Sequence, residues 1–394
     1  MSEDFEGLNA SLRYTRRNAL IRGAQLTAGA GALAAFLAAC GGSDSTTSAT
    51  SEAGATSEAA ATSTEAATTA APALSGEIVM MNYPGWMGET TVADFNAATG
   101  VGVKEVEGLT EGTSAAAAQI AQNKDEYDMS LGGPVLAAML KEGGLLAEIN
   151  PANIPNLQYV PDHFKEAYPW GPPTDYGKTG FAYRKDLMSE QPTSWADFWE
   201  LAPKYSGKVT LFDYDVDILG AALIKNGYSV NAGEESEINS ARDALIELKP
   251  HLLAILPTDA SKPLLKGNAV MGMDYDYSVA YAQRENENIV WVSPEEGMPA
   301  YLDGWLAING TDKIAEIEAF MNFLLEPANY AKFINTIGSS FVMPEAIPMI
   351  DAAVKDNPAL AYDEAAVKTI EFEQFLGEDV TKLRTRAWQE FKNA

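Results

Sequence analysis

The chain has 394 residues, of which 46% are hydrophobic, with one Cys, two His and a formal charge of −28. That length is about two to three domains' worth of chain, apolar enough to bury a core. The acidity excludes a nucleic-acid-binding surface, which needs Lys and Arg against phosphate, and disfavours anionic lipid; it is compatible with a cationic ligand.

In chain order, Arg16 and Arg17 precede the weakly apolar run "AQLTAGAGALAAFLAAC". This reads as an export signal of the twin-arginine type, too short and too rich in Gly to span a membrane. "LAAC", ending at Cys40, resembles the bacterial lipobox, so Cys40 is expected to carry diacylglycerol after cleavage. Cys40 is the only Cys, so the rest of the chain is expected to have neither disulfide nor thiol chemistry. Residues 41–75 are almost wholly Ser, Thr, Ala, Gly and Glu. Such a segment has too little apolar surface to fold and reads as a tether, with an r.m.s. reach of roughly 30–35 Å.

From Gly76 onward strand and helix patterns alternate. "EIVMMNY" predicts a short strand ending in Tyr83, Pro84, Gly85 and Trp86. "TTVADFNAATG" then carries Val92, Phe95 and Ala98 at helical spacing, with Gly100 as a stop. "VGVKEVE", "TSAAAAQIAQN", "YDMSLGG" and "PVLAAMLKEGGL" continue as strand, helix, strand and helix. Pro and Gly cluster in "YPWGPPTDYGKTGFAYRKDL" ahead of a strand "TGFAYR", which predicts a crossover between lobes. "TSWADFWEL" predicts a helix capped by Thr193 or Ser194. "KVTLFDYDVDILGAALIKNG" reads as strand, acidic loop and helix, with Asp213, Asp215 and Asp217 alternating. "MGMDYDYSVAYAQREN" reads as strand then helix. "AYLDGWLAI" reads as a buried strand with Asp303 at its mouth, and "KIAEIEAFMNFLLEP" as a helix. The pattern predicts an α/β fold with a mostly parallel sheet and a ligand beyond the strand ends.

Several chemistries are excluded. His163 and His251 are far apart with no Cys between them, so no zinc pattern exists. No nucleophile elbow, phosphate-binding loop or dinucleotide fingerprint after a strand occurs beyond the export signal. "DYDVD" begins like a calcium loop, but Ile218 stands at the sixth position and Ile224 at the twelfth. What remains is acids alternating with aromatics at strand ends: Tyr83 and Trp86; Asp213, Asp215 and Asp217; Asp274, Tyr275, Asp276 and Tyr277; Tyr301 and Asp303. An ammonium group wants carboxylates for charge-assisted hydrogen bonds, and its methylene chain wants aromatic walls.

The markers "TSWADFW", "YSGKVTLFD", "ALIKNGYS", "MGMDYDYS", "AYLDGWLAI" and "FMNFLLEPANYAKFINTIG" resemble the spermidine/putrescine-binding proteins of bacterial polyamine ABC importers. The resemblance covers nearly all of residues 76–394. It implies a two-lobed periplasmic-binding-protein fold of type II character, each lobe a mostly parallel sheet flanked by helices, with the ligand in the interlobe cleft. The expected lobes are residues 76–182 with 303–345, and 183–302 with 346–394. By position it implies ligand contacts at Tyr83, Trp86, Asp217, Tyr275, Tyr301, Asp303 and Glu373, with Asp213, Asp215, Asp276 and Gln374 as further candidates. The Ser and Tyr that the family has after the third strand fall here at Gly133 and Val135. The expected function is capture of a polyamine and delivery to an ABC permease, by a monomeric lipoprotein on the outer face of the cytoplasmic membrane. No catalytic residue, metal or cofactor is expected. The alternatives are another cationic or small organic solute or metal complex on the same fold, and an exported enzyme using paired carboxylates.

Overall fold

The computed structural model describes residues 74–109, 112–257 and 260–394. Cys40, the export signal and nearly all of the expected tether lie outside the described residues. Among the described residues no helix is long and apolar enough to cross a membrane.

The first lobe is built on three parallel strands, β1 (Glu77–Asn82), β2 (Gly102–Glu107) and β3 (Met129–Gly132), ordered β2-β1-β3. Helices Thr91–Thr99, Thr113–Gln122 and Pro134–Glu142 follow them in turn. Gly100 stops the first of these in a left-handed conformation, as its position predicts. β1 and β3 place Ile78, Met80, Met81, Met129 and Leu131 in the core. Each of these short apolar strands is buried because helices cover it.

The second lobe repeats the scheme with β5 (Val209–Phe212), which lies parallel to β6 (Leu252–Leu256) and β7 (Met271–Tyr275). Its core gathers Phe181, Trp195, Phe198, Ile218, Trp388 and Phe391. The helix Trp195–Leu201 starts at a capping box: Ser194 accepts from the Asp197 N–H, and Asp197 accepts back from the Ser194 N–H. This satisfies two N–H groups that a helix start leaves open.

Two long antiparallel strands join the lobes: β4 (Pro173–Arg184) and β9 (Met298–Ala307). β9 pairs with β3 through Gly304–Ala307 and with β4 through Ala300–Gly304. β4 continues into the second lobe, where Thr179–Tyr183 pair with β7 and Phe181–Arg184 with β8 (Ile289–Val292). Two short strands complete the sheet: β10 (Ser340–Phe341) on β4 and β11 (Ile370–Phe372) on the start of β9. β4 therefore begins at Pro173, earlier than the expected "TGFAYR", because residues 173–178 pair with β9, and a first-position proline is tolerated there. Asp303 likewise lies inside β9 and not at its mouth.

Residues 344–349 pack on helix Pro327–Ile337, and Ile350, Val354 and Leu360 join the first-lobe core with Val279 of helix Asp276–Glu285. The C-terminal helix Glu378–Asn393 instead packs on helices Asp215–Lys225 and Glu235–Leu248 of the second lobe.

Candidate ligand cleft

The candidate site is organised by one face of β4. Side chains two apart on a strand share a face, so Asp175, Gly177 and Thr179 point the same way. Their neighbours in register are Asp303 and Tyr301 of β9 and Tyr275 of β7. A Cβ on Gly177 would sit 2.3 Å from the Tyr301 ring, so the missing side chain is what lets that ring lie against the strand.

Thr179 and Tyr275 both donate to the Asp217 carboxylate, the tyrosine at 2.8 Å. Asp217 occupies the first turn of helix Asp215–Lys225. The alternation expected for Asp213, Asp215 and Asp217 thus gives way to a helical turn after Tyr214. A helix N-terminus favours a carboxylate, yet burial outweighs it and lifts Asp217 to about 6.

Asp303 is lifted further, to about 7, by burial. No hydrogen bond or ion pair reaches its carboxylate from any described residue. The nearby Tyr168 hydroxyl is already engaged with the carbonyls of Gly132 and Gly304, at 2.6 and 3.0 Å. Glu373, one residue past β11, has Oε1 buried without a partner among the described residues; burial and the charges of Asp217, Asp215 and Asp303 hold it well above the usual carboxylate range. Arg384 opposes that shift through space, while its guanidinium donates to the carbonyls of Val230 and Ala232.

Aromatic rings line this row of acids. In "NYPGW" the Trp86 N–H donates to the Tyr83 carbonyl at 3.1 Å, with Gly85 at φ 72°. That is a turn with Pro before a positive-φ glycine, and it presents both rings together. From there the rings run on in edge and stacked contacts. Tyr83 meets Trp86 at 6.5 Å, Trp86 meets Tyr277 at 6.2 Å, Tyr277 stacks on Tyr275 at 5.4 Å, and Tyr275 meets Tyr301 at 5.7 Å. The structure thus brings Tyr83, Trp86, Asp217, Tyr275, Tyr301, Asp303 and Glu373 into one neighbourhood.

The remaining candidates have other surroundings. Asp213 accepts from Lys392 Nζ at 3.0 and 3.1 Å. Asp215 accepts locally from the Val216 N–H at 3.1 Å, and burial raises it. Asp276 is buried against Ser340 Oγ at 2.7 Å and Lys178 Nζ at 3.7 Å. Gln374 is exposed, with its backbone N–H on Asn231. Two members were not singled out from sequence, Asp175 and Thr179. Their signal was the period of two in "DYGKT", which sets an acid and a hydroxyl on one face of a buried strand. Among the described residues no group of three or more His, Cys, Asp or Glu is placed to hold a metal ion.

The family model described as bacterial extracellular solute-binding protein matches residues 90–362, and the chain belongs to that family. Among curated relatives, the spermidine/putrescine-binding periplasmic protein of Escherichia coli is 27% identical over 287 residues, covering 70% of this chain and 81% of the relative. The putrescine/cadaverine-binding protein of Pseudomonas aeruginosa is 23% identical over 341 residues, covering 82% and 96%. Among solved structures, the spermidine/putrescine ABC transporter substrate-binding protein PotD of Streptococcus pneumoniae superposes with a TM-score of 0.72 at 22% identity, over 81% of this chain and 99% of that one. The Treponema pallidum lipoprotein TpPotD gives 0.70 at 21% identity, over 80% and 99%. The fold is therefore the two-lobed fold of periplasmic binding proteins, as the resemblance implies.

Proposed function

We propose that the chain is the polyamine receptor of an ABC importer, which captures a linear polycation between its lobes and delivers it to the permease. The observation that carries this reading is Asp303, a buried carboxylate on a crossing strand with no partner from any described residue, set beside a wall of rings. Burying an unpaired carboxylate is costly, and a bound cation offsets that cost. The spacing supports an extended cargo. Asp175 and Thr179, whose hydroxyl holds Asp217, are four residues apart on β4, roughly 13 Å, so the Asp175–Asp303 pair and Asp217 mark separate points along the strand. The names of the curated relatives support the same cargo class.

Mechanistically, Asp303 lies on a crossing strand, Asp217 on the second lobe, and Tyr83 and Trp86 on the first. A cation that touches all of them binds the closed form better than the open one and shifts the population towards it. We further propose that the protein is a monomer with no catalytic role, exported by the twin-arginine route and anchored through a lipid on Cys40. A second reading, another organic cation on the same fold, is favoured by one feature. Where the resemblance implies a Ser, Gly133 stands beside Asp303, its Cβ position 3.6 Å from Oδ1.

Titration calorimetry with putrescine, spermidine and spermine, against choline and arginine, tests the reading. Saturable binding of a polyamine that Asp303→Asn removes is the expected result. Binding of choline or arginine with silence from every polyamine would select the second reading.

A further inference from the structure

Asp175 is the one fully buried acid on the cleft face of β4, at 0% exposure. It stands directly opposite Asp303 in register. Like charges facing each other across adjacent strands repel, and neither carboxylate has a base. Asp175 Oδ1 accepts only the neighbouring Thr174 hydroxyl, at 3.0 Å, among the described residues. Its Oδ2 is buried and, among the described residues, meets no donor in hydrogen-bond geometry. The Trp86 indole N–H and the Ser339 hydroxyl both lie toward Asp175, but the indole falls short of hydrogen-bond geometry and is itself buried without a partner among the described residues, while the hydroxyl donates to the Tyr176 carbonyl at 3.0 Å. A fold that needed this acid for its own stability would have given Oδ2 a donor.

We infer that Asp175 is a ligand contact, and that Asp175 and Asp303 together seat one primary ammonium group of the cargo at the first-lobe end of the cleft. This rests on the polyamine reading above and assigns that end of the site. A primary ammonium brings three N–H donors, enough to reach both carboxylates at once and to neutralise the repulsion between them. A trimethylammonium group brings the charge but no donor. The seat therefore selects for a primary amine terminus over an N-methylated one.

The test is calorimetry and thermal melting of the purified full chain, in wild-type, Asp175→Asn and Asp303→Asn forms. The probes are spermidine and a spermidine analogue trimethylated at both terminal nitrogens. Asp175→Asn is expected to weaken spermidine binding by about tenfold or more, the scale of a hydrogen bond to a charged group. It is also expected to raise the ligand-free melting temperature, because a buried carboxyl with one unpartnered oxygen, facing another acid, has been removed. Wild-type protein is expected to bind the trimethylated analogue more weakly than spermidine by a similar factor, and Asp175→Asn to narrow that gap. Spermidine binding unchanged by Asp175→Asn, together with a lowered melting temperature, would make Asp175 a structural residue and overturn the seat while leaving the polyamine reading intact. Should the variant fail to fold, equal wild-type affinity for spermidine and its analogue would overturn the seat by itself. Wild-type protein that binds no polyamine would overturn the underlying reading, and the seat with it.

Discussion

The two faces of β4 treat buried acid in opposite ways. On the face away from the cleft, Lys178 reaches across to Asp276, which also receives the Ser340 hydroxyl and the Tyr277 N–H. Every oxygen of that carboxylate has a donor, and burial is answered by a cation from the same chain. On the cleft face, Asp175 and Asp303 oppose each other with no base between them. The residue type and the depth of burial are alike; the difference is where the compensating charge comes from. An acid with its own cation belongs to the fold, and one without awaits a cation from outside.

The comparison breaks most sharply at Asp276. Asp276→Asn leaves the Lys178 ammonium buried and unpaired, and is expected to destabilise the protein by about 3–5 kcal/mol in chemical denaturation. Polyamine affinity measured on the folded fraction should change little. A large loss of affinity with intact stability would move Asp276 into the ligand site.

Asp303→Asn should do the reverse. Losing one partner of a buried, charge-assisted contact is expected to cost about 2–5 kcal/mol of binding, while the ligand-free melting temperature holds or rises. A variant that melted well below wild type would give Asp303 a structural role.

Next in size is a pH effect with two opposite signs. Burial holds Asp303 at about 7 and Asp217 at about 6, above their unfolded values. The stability these groups contribute is therefore fully present below the unfolded carboxylate range and is lost as pH rises through 6 to 7. Ligand-free protein should melt higher at pH 5 than at pH 8 as far as these two acids decide it. Polyamine binding needs the ionised acids, so affinity should fall by up to about tenfold per pH unit per group below those values. Melting with and without polyamine across pH 5–8 reads both trends; parallel trends would refute the assignment.

The smallest effect is expected at Tyr275→Phe. It removes one of the two hydroxyl donors to Asp217, a loss of about 1.5–3 kcal/mol at most for a bond to a charged group. Since the ring wall survives, we expect affinity to drop less than with Asp303→Asn, with Asp217 titrating higher by NMR. An effect equal to that of Asp303→Asn would mean that Asp217 is the main anchor.

Sequence alone determined the local elements of this protein. The apolar runs of β1, β3 and β5, the Gly100 stop and the cap at Ser194 follow from periodicity and capping chemistry, which act within a few residues. The turn "NYPGW" was legible for the same reason, and with it the pairing of Tyr83 with Trp86. Asp303 stood out because an acid inside an apolar run is conspicuous. Asp276 was a further candidate, and its sequence context says nothing of Lys178, which lies almost a hundred residues away. Asp175 was hidden among prolines and glycines that read as a turn, and only pairing with β9 made that stretch a strand and placed Asp303 opposite it. The tertiary structure decided which acids share a face, which meet a base and which are left without one. Desolvation and partner supply depend on what packs around a side chain, and residues distant in sequence provide that packing.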